Sequence, residues 1–199
     1  MMLINPFFVN PSGMPKVLEL LFNAADGGSI VDSTGRHSPS LSASGTRGIV
    51  SNKLNLASGG YIRADALNTA NSDFDFSAGD FSVECKVTAY SSSTYIWAHT
   101  ANDNDFGLCV RFSSDYQITV RSELNSLMMS YTSGTSLIGV EIKVKVERVS
   151  GRYALLIDDV EVADVTASFP IGSNGFIIGA FPPSGGLTGT IDDFIVRKS

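Results

Sequence analysis

From Phe81 to Thr88 the chain alternates strictly. Phe81, Val83, Cys85 and Val87 fall on one phase, and Ser82, Glu84, Lys86 and Thr88 on the other. That period of two predicts a strand with one face in a core. A clearer case is VEIKVKVERV. Val140, Ile142, Val144 and Val146 face one way, and Glu141, Lys143, Lys145 and Glu147 the other. Ser150-Gly151-Arg152 then reads as a turn, and YALLIDDVEVADV as a returning strand that bends at Asp158-Asp159. The two make a β-meander. GFIIGAF and GTIDDFIVRK are the last predicted strands, parted by a loop at Pro182-Pro183.

Earlier in the chain the signals are shorter. VLELLF is an apolar run, NAADGGSIVDSTGRHSPSLSASGTRG is mostly turn chemistry, and KLNLASGGYIRA reads as two short strands around Gly-Gly. No stretch keeps a helical period, and no internal repeat is present. Many short strands with turns between them predict an all-β, antiparallel two-sheet sandwich.

Residues 1–16 differ. Pro6, Pro11 and Pro15 each fix φ and remove a backbone donor, so an extended arm is expected. The arm carries Leu3, Ile4, Phe7, Phe8 and Val9, apolar enough to need a surface to dock on. That surface is either its own sandwich, residues 17–199, or a partner subunit.

Composition narrows the function. The chain has 199 residues, enough for one generous domain with a sizeable core. Its net charge of −6 disfavours partnership with nucleic acid, whose phosphates call for Lys and Arg. No apolar run is long enough for a membrane helix. The start, MMLINPFFVNPSGMPK, has no basic region and no long apolar stretch, so no signal peptide is expected. Cys85 and Cys109 are then expected as free thiols, with Cys85 in the core.

Catalytic patterns are missing. There is no Gly-x-Ser-x-Gly, no phosphate loop, no dinucleotide fingerprint, no Cys-x-x-Cys and no His-Glu-x-x-His; His37 and His99 are the two histidines. Glycoside hydrolysis needs two carboxylates across a cleft, one kept protonated. Glu141 and Glu147 share a strand face with Lys143 and Lys145 between them, and those lysines keep both acids ionised. The expectation is a solvated charge ladder and no enzyme. Asp73, Asp75 and Asp80, before the strand at Phe81, read as turn caps.

The order of motifs adds a resemblance. LELLFNAADGGSIVDSTGRH, then GDFSVECKV, then KVERVSGRYALLIDDVEV, then GLTGTIDDFIVRK, resembles the laminin-G-like, concanavalin A-like jelly rolls of the type found in tailed-phage virion proteins. The likeness covers about residues 17–198. It departs at Asp158-Asp159, where that family has Asp-Gly. The family's laminarinase-type members carry a Glu-x-Asp-x-x-Glu strand, which this chain lacks. The resemblance implies a structural calcium at Asn23 and Asp192, with no other cofactor.

A glycan site would use an aromatic platform. In STYIWAHT, Tyr95, Trp97 and His99 share a phase, and Ile96 and Ala98 share the other. If Ile96 and Ala98 face the core, an aromatic stripe faces outward near Asp103 and Asp105. Against this, the single Trp of a domain is usually core. The resemblance implies a non-enzymatic virion protein: a capsid decoration, fibre or tail module made in the host cytoplasm. It would dock through its arm on other virion subunits and copies of itself. The alternative is a carbohydrate-binding module for adsorption to a host surface.

Overall fold

The computed structural model describes residues 13–24, 26–41, 47–57, 60–64, 71–102, 105–122, 126–167, 175–181 and 186–199. The apolar arm residues Leu3, Ile4, Phe7, Phe8 and Val9 lie outside this set, as does Asp103. The end of the expected arm already belongs to the sandwich. Met14 is buried, the Pro15 carbonyl accepts from the Lys198 amide, and Lys16 opens the first strand.

The described strands form two antiparallel sheets. The first follows the order β14 (Val160–Thr166), β13 (Arg152–Ile157), β12 (Glu141–Val149), β7 (Phe81–Ala89), β16 (Gly189–Lys198), β1 (Lys16–Leu21), β2 (Val31–Asp32). β5 (Lys53–Leu56) also pairs with β16, and β4 (Arg47–Val50) pairs with β5. The second sheet follows β11 (Ser126–Thr132), β10 (Gln117–Ser122), β9 (Asp105–Ser114), β8 (Thr94–Asn102), β15 (Gly175–Ile178), β6 (Ile62–Arg63), β3 (Ser40–Leu41). This is the two-sheet β-sandwich that the alternating patterns predict.

The core lies between the sheets. Val83, Cys85 and Val87 of β7 meet Ile142, Val144 and Val146 of β12 in register. Their side chains bury together with those of Phe176, Ile178, Ile191, Phe194 and Val196. At roughly 1.5–3 kcal/mol for each fully buried large apolar side chain, this layer is the main source of stability. Val140 departs from the expectation. It precedes β12 and is exposed, so the inward phase begins at Ile142. Arg148 continues that phase at the rim, where its guanidinium reaches the Gly79 carbonyl and lies over the Phe81 and Tyr153 rings.

Of the acids before β7, Asp75 caps a turn as expected, accepting from the Ser77 amide. Asp80 does not: its carboxylate accepts from the Ser150 amide, distant in sequence, and ties this loop to the turn after β12. Asp73 is different: Asn71 caps the 3₁₀ turn Ser72–Phe74, and the Asp73 carboxylate pairs with Arg36 and His37. Asp158 and Asp159 take φ of 50° and 65°, both left-handed, in the tight turn between β13 and β14. Aspartate tolerates that conformation better than most residues. Both side chains also reach back to Lys143, Asp158 accepting from its amide and Asp159 from its Nζ.

Asp32 is the hub of the VDSTGRH turn. Its carboxylate accepts from the amides of Glu19, Thr34, Arg36 and His37, and from the Thr34 hydroxyl. Burial pushes its pKa up, but these donors outweigh it and hold the carboxyl below its ordinary value.

Candidate functional site

Each sheet has an outer face, and the two differ in their charges. On the first sheet the acids and bases pair among themselves. Lys143 bridges Glu84 and Asp159, at 3.3 and 2.7 Å. Lys145 meets Glu147 at 2.5 Å, Lys86 meets Asp193 at 2.8 Å, and Arg197 meets Glu84. Glu141 pairs with Lys53. Burial raises the Glu84 carboxyl, but Arg197 and Lys143 outweigh it, and the net shift is downward. Glu141 and Glu147 thus stand in the charge ladder that the alternation predicts. A depression of about 250 Å³ between Glu84, Lys86, Lys143, Asp193 and Ile195 is lined by these same paired groups.

The second sheet presents arginines. Its core-facing positions are Leu108, Val110 and Phe112 on β9 and Ile118 and Val120 on β10. The intervening positions turn outward, and register aligns them across the strands. One row runs Ser40, Arg63, Ile177, Ala98, Cys109, Arg121, Leu127. The neighbouring row runs Tyr95, Arg111, Thr119, Ser130. No acidic residue stands in either row. The Arg111 guanidinium lies over the Tyr95 ring, 5.3 Å from its centroid, and Arg63 lies over Tyr61 at 5.4 Å. Such stacking restrains an otherwise mobile cation.

The expected stripe of Tyr95, Trp97 and His99 is split by this geometry. A β-bulge between Tyr95 and Trp97 inserts one residue into β8. Ile96 and Trp97 both turn inward, and both are fully buried in the main core. Tyr95 and Ala98 turn outward and pack with Cys109 and Phe181 in a small separate cluster. Ala98 is therefore not a core-facing residue of the main cluster, and Trp97 and His99 are not a surface platform. His99 stacks on Phe76 at 4.8 Å, and its Nε2 donates to the Phe74 carbonyl at 2.7 Å. Burial lowers its pKa to about 4, so the ring is neutral near pH 7. Of the expected acidic loop, Asp105 opens β9.

The two residues of the expected calcium site stand as follows. Asn23 is exposed just after β1. Asp192 lies on β16 at the register shift that also turns Asp193 to a φ of 51°. Burial and the neighbouring Asp193 raise the Asp192 carboxyl above its ordinary value. Among the described residues no three or more His, Cys, Asp or Glu side chains gather as a metal ligand set.

Arg63, Arg111 and Arg121 are the residues that sequence reasoning passed over. The signal was present: Val110-Arg111-Phe112 and Val120-Arg121-Ser122 alternate as plainly as β12 does. What the sequence lacks is the register that lines them up.

No protein-family model matches the chain, and no curated protein sequence matches it. Solved structures do. Domain 4 of AbnA, an extracellular arabinanase of Geobacillus stearothermophilus in complex with arabinotriose, is similar with a TM-score of 0.70. Identity is 15%, over 94% of this chain and 93% of that one. The binding domain of botulinum neurotoxin serotype C1 is similar at a TM-score of 0.66 and 15% identity, over 94% of this chain and 49% of that one. A Trypanosoma rangeli sialidase matches at 0.67 and 14% identity, over 94% of this chain and 30% of its own length. These likenesses establish a shared β-sandwich fold. The chain spans about half of the neurotoxin domain and under a third of the sialidase.

Proposed function

We propose that this chain is a carbohydrate-binding β-sandwich module that takes its ligand on the outer face of the second sheet. The observation that carries this reading is the pair of Tyr–Arg stacks on that face, Tyr95 with Arg111 and Tyr61 with Arg63. The Tyr95–Arg111 stack shares one registered row with Thr119 and Ser130. Guanidinium groups offer several fixed donors for sugar oxygens, and aromatic rings beside them suit the apolar faces of sugars. The arabinanase domain supports the reading, because a sandwich of this shape and length was solved with a saccharide. The paired acids on the first sheet suit solvation rather than general acid–base work, and the module is read as a binder without catalysis. The virion-subunit reading rests on the arm, outside the described residues, and no neighbour supports it.

The test is a saccharide panel, neutral and acidic, titrated into the full chain with amide NMR shifts recorded. Saturable shifts at β8 to β11 would support the reading. Binding of no saccharide, or shifts confined to β7, β12 and β16, would overturn it.

A further inference from the structure

Arg148 is the charged residue on the inward phase of β12. Ile142, Val144 and Val146 precede it on the core side, and it is itself only 7% exposed. A guanidinium taken out of water is costly unless a carboxylate meets it. Among the described residues none does. The charge rests instead on the Gly79 carbonyl, which accepts from Nε at 3.0 Å and also from Nη2, and on the Phe81 and Tyr153 rings at 5.2 and 5.8 Å. The Tyr153 hydroxyl accepts from Nη1 at 3.4 Å. A guanidinium has five N–H groups, so these partners engage three and leave two.

Arg148 lines an open cleft of about 340 Å³ at one end of the sandwich, between the loop before β7 and the turn that joins β12 to β13. Ser77, Asp80, Ser150, Gly151 and Ala167 also stand in its wall. Asp80 is fixed there. One carboxylate oxygen accepts from the Ser150 amide at 2.8 Å. Its backbone amide donates to the Ser199 hydroxyl, and its carbonyl accepts from the Ser199 amide. The other carboxylate oxygen has no hydrogen-bond partner among the described residues. Ser150 and Gly151 take left-handed φ of 50° and 80°, the mark of a tight two-residue hairpin turn that holds Ser150 at the cleft. The cleft therefore offers unused donors and an unused acceptor, each on a rigid support.

We infer that this cleft is a binding site for a single neutral sugar unit, whose neighbouring hydroxyls accept from Arg148 and donate to Asp80. Arg148 and Asp80 line one cleft but form no ion pair, so a polar group can stand between them. An anion there would meet Asp80, and a cation would meet Arg148. A hydroxyl both donates and accepts, and so answers both walls without a net charge. The volume lies at the small end of ligand pockets, suited to one ring rather than a long chain. The site is separate from the outer face of the second sheet and does not depend on it.

The experiment is amide NMR titration of the full chain with the methyl glycosides of arabinose, galactose and mannose, the fully O-methylated form of each, and glycine, a zwitterion. At least one free glycoside should give saturable shifts at residues 77–80 and 148–151, and its O-methylated form none. Asp80→Asn keeps a carbonyl oxygen for the Ser150 amide but puts a donor where the second acceptor stood. It should lower the glycoside affinity at least tenfold with an unchanged melting curve. Arg111→Gln, on the second-sheet face, should leave that affinity unchanged. Equal affinity in Asp80→Asn, a loss in Arg111→Gln, equal shifts with the O-methylated form, or shifts with glycine and no glycoside would each overturn the site. Shifts confined to β8 to β11 would overturn it and leave the second-sheet reading standing. Shifts confined to the cleft would support it and overturn that reading, and shifts nowhere would overturn both.

Discussion

Replacing Trp97 by alanine tests the bulge in β8, on which the geometry of the outer face depends. The bulge makes Trp97 a core residue with no surface role. It is fully buried and meets Phe176 edge to face at 5.8 Å. Truncating a buried Trp removes its transfer energy and leaves a cavity, together about 3–5 kcal/mol. For a domain of this size that lowers Tm by about 6–20 °C. Trp97→Phe should cost less, about 1–2 kcal/mol, because an aromatic ring remains and an indole N–H without a partner among the described residues is removed. Tyr95→Ala should do the reverse: a smaller loss of stability, since its cluster has four members, and a loss of saccharide affinity as Arg111 loses its ring. Urea unfolding followed by far-ultraviolet circular dichroism gives the stabilities, and titration with the binding saccharide gives the affinities. Wild-type Trp fluorescence should also be blue-shifted and resistant to iodide. A Trp97→Ala protein that melts like wild type but no longer binds saccharide would refute the bulge and restore the outward stripe.

Other outcomes follow from the same structure. His99 has a folded pKa of about 4 against an ordinary 6.5, so above pH 6.5 both states are neutral and its contribution is complete. As pH falls from 6.5 towards 4 the unfolded state protonates first, and about 3 kcal/mol of stability is lost. His99→Gln should flatten this window in pH-dependent urea midpoints, and an unchanged slope would sink the assignment. Asp32→Ala should cost more than about 3 kcal/mol, because it strands the amides of Glu19, Thr34, Arg36 and His37; a near-neutral result by thermal melting would contradict that hub. A Cβ at Gly189 would fall 2.1 Å from the Thr88 carbonyl oxygen, so Gly189→Ala should destabilise by about 3 kcal/mol or prevent folding, and soluble wild-type-like protein would count against the β7–β16 approach. If calcium binds at Asn23 and Asp192, chelation should lower Tm and Asp192→Ala should abolish that response; identical melts with and without chelator would remove the metal.

The sequence by itself determined the class of fold and much of its core. Period two is a local property: once Ile142, Val144 and Val146 share a side, only a sheet can bury them together. The turn at Asp75 was likewise written in short-range chemistry, because its carboxylate accepts from the Ser77 amide two residues on. Tertiary structure alone decided where the outward residues meet. In β8 one extra residue, set by pairing with β9, reversed the facing of Trp97 and His99 while leaving Tyr95 outside. A single-residue shift is invisible to a pattern whose two phases are both apolar, as they are in TYIWAHT. The arginines show the same limit at longer range. Arg63, Arg111 and Arg121 sit on three strands, each an unremarked polar position in its own segment. Strand order and register, which come from packing across the whole sandwich, brought them onto one face.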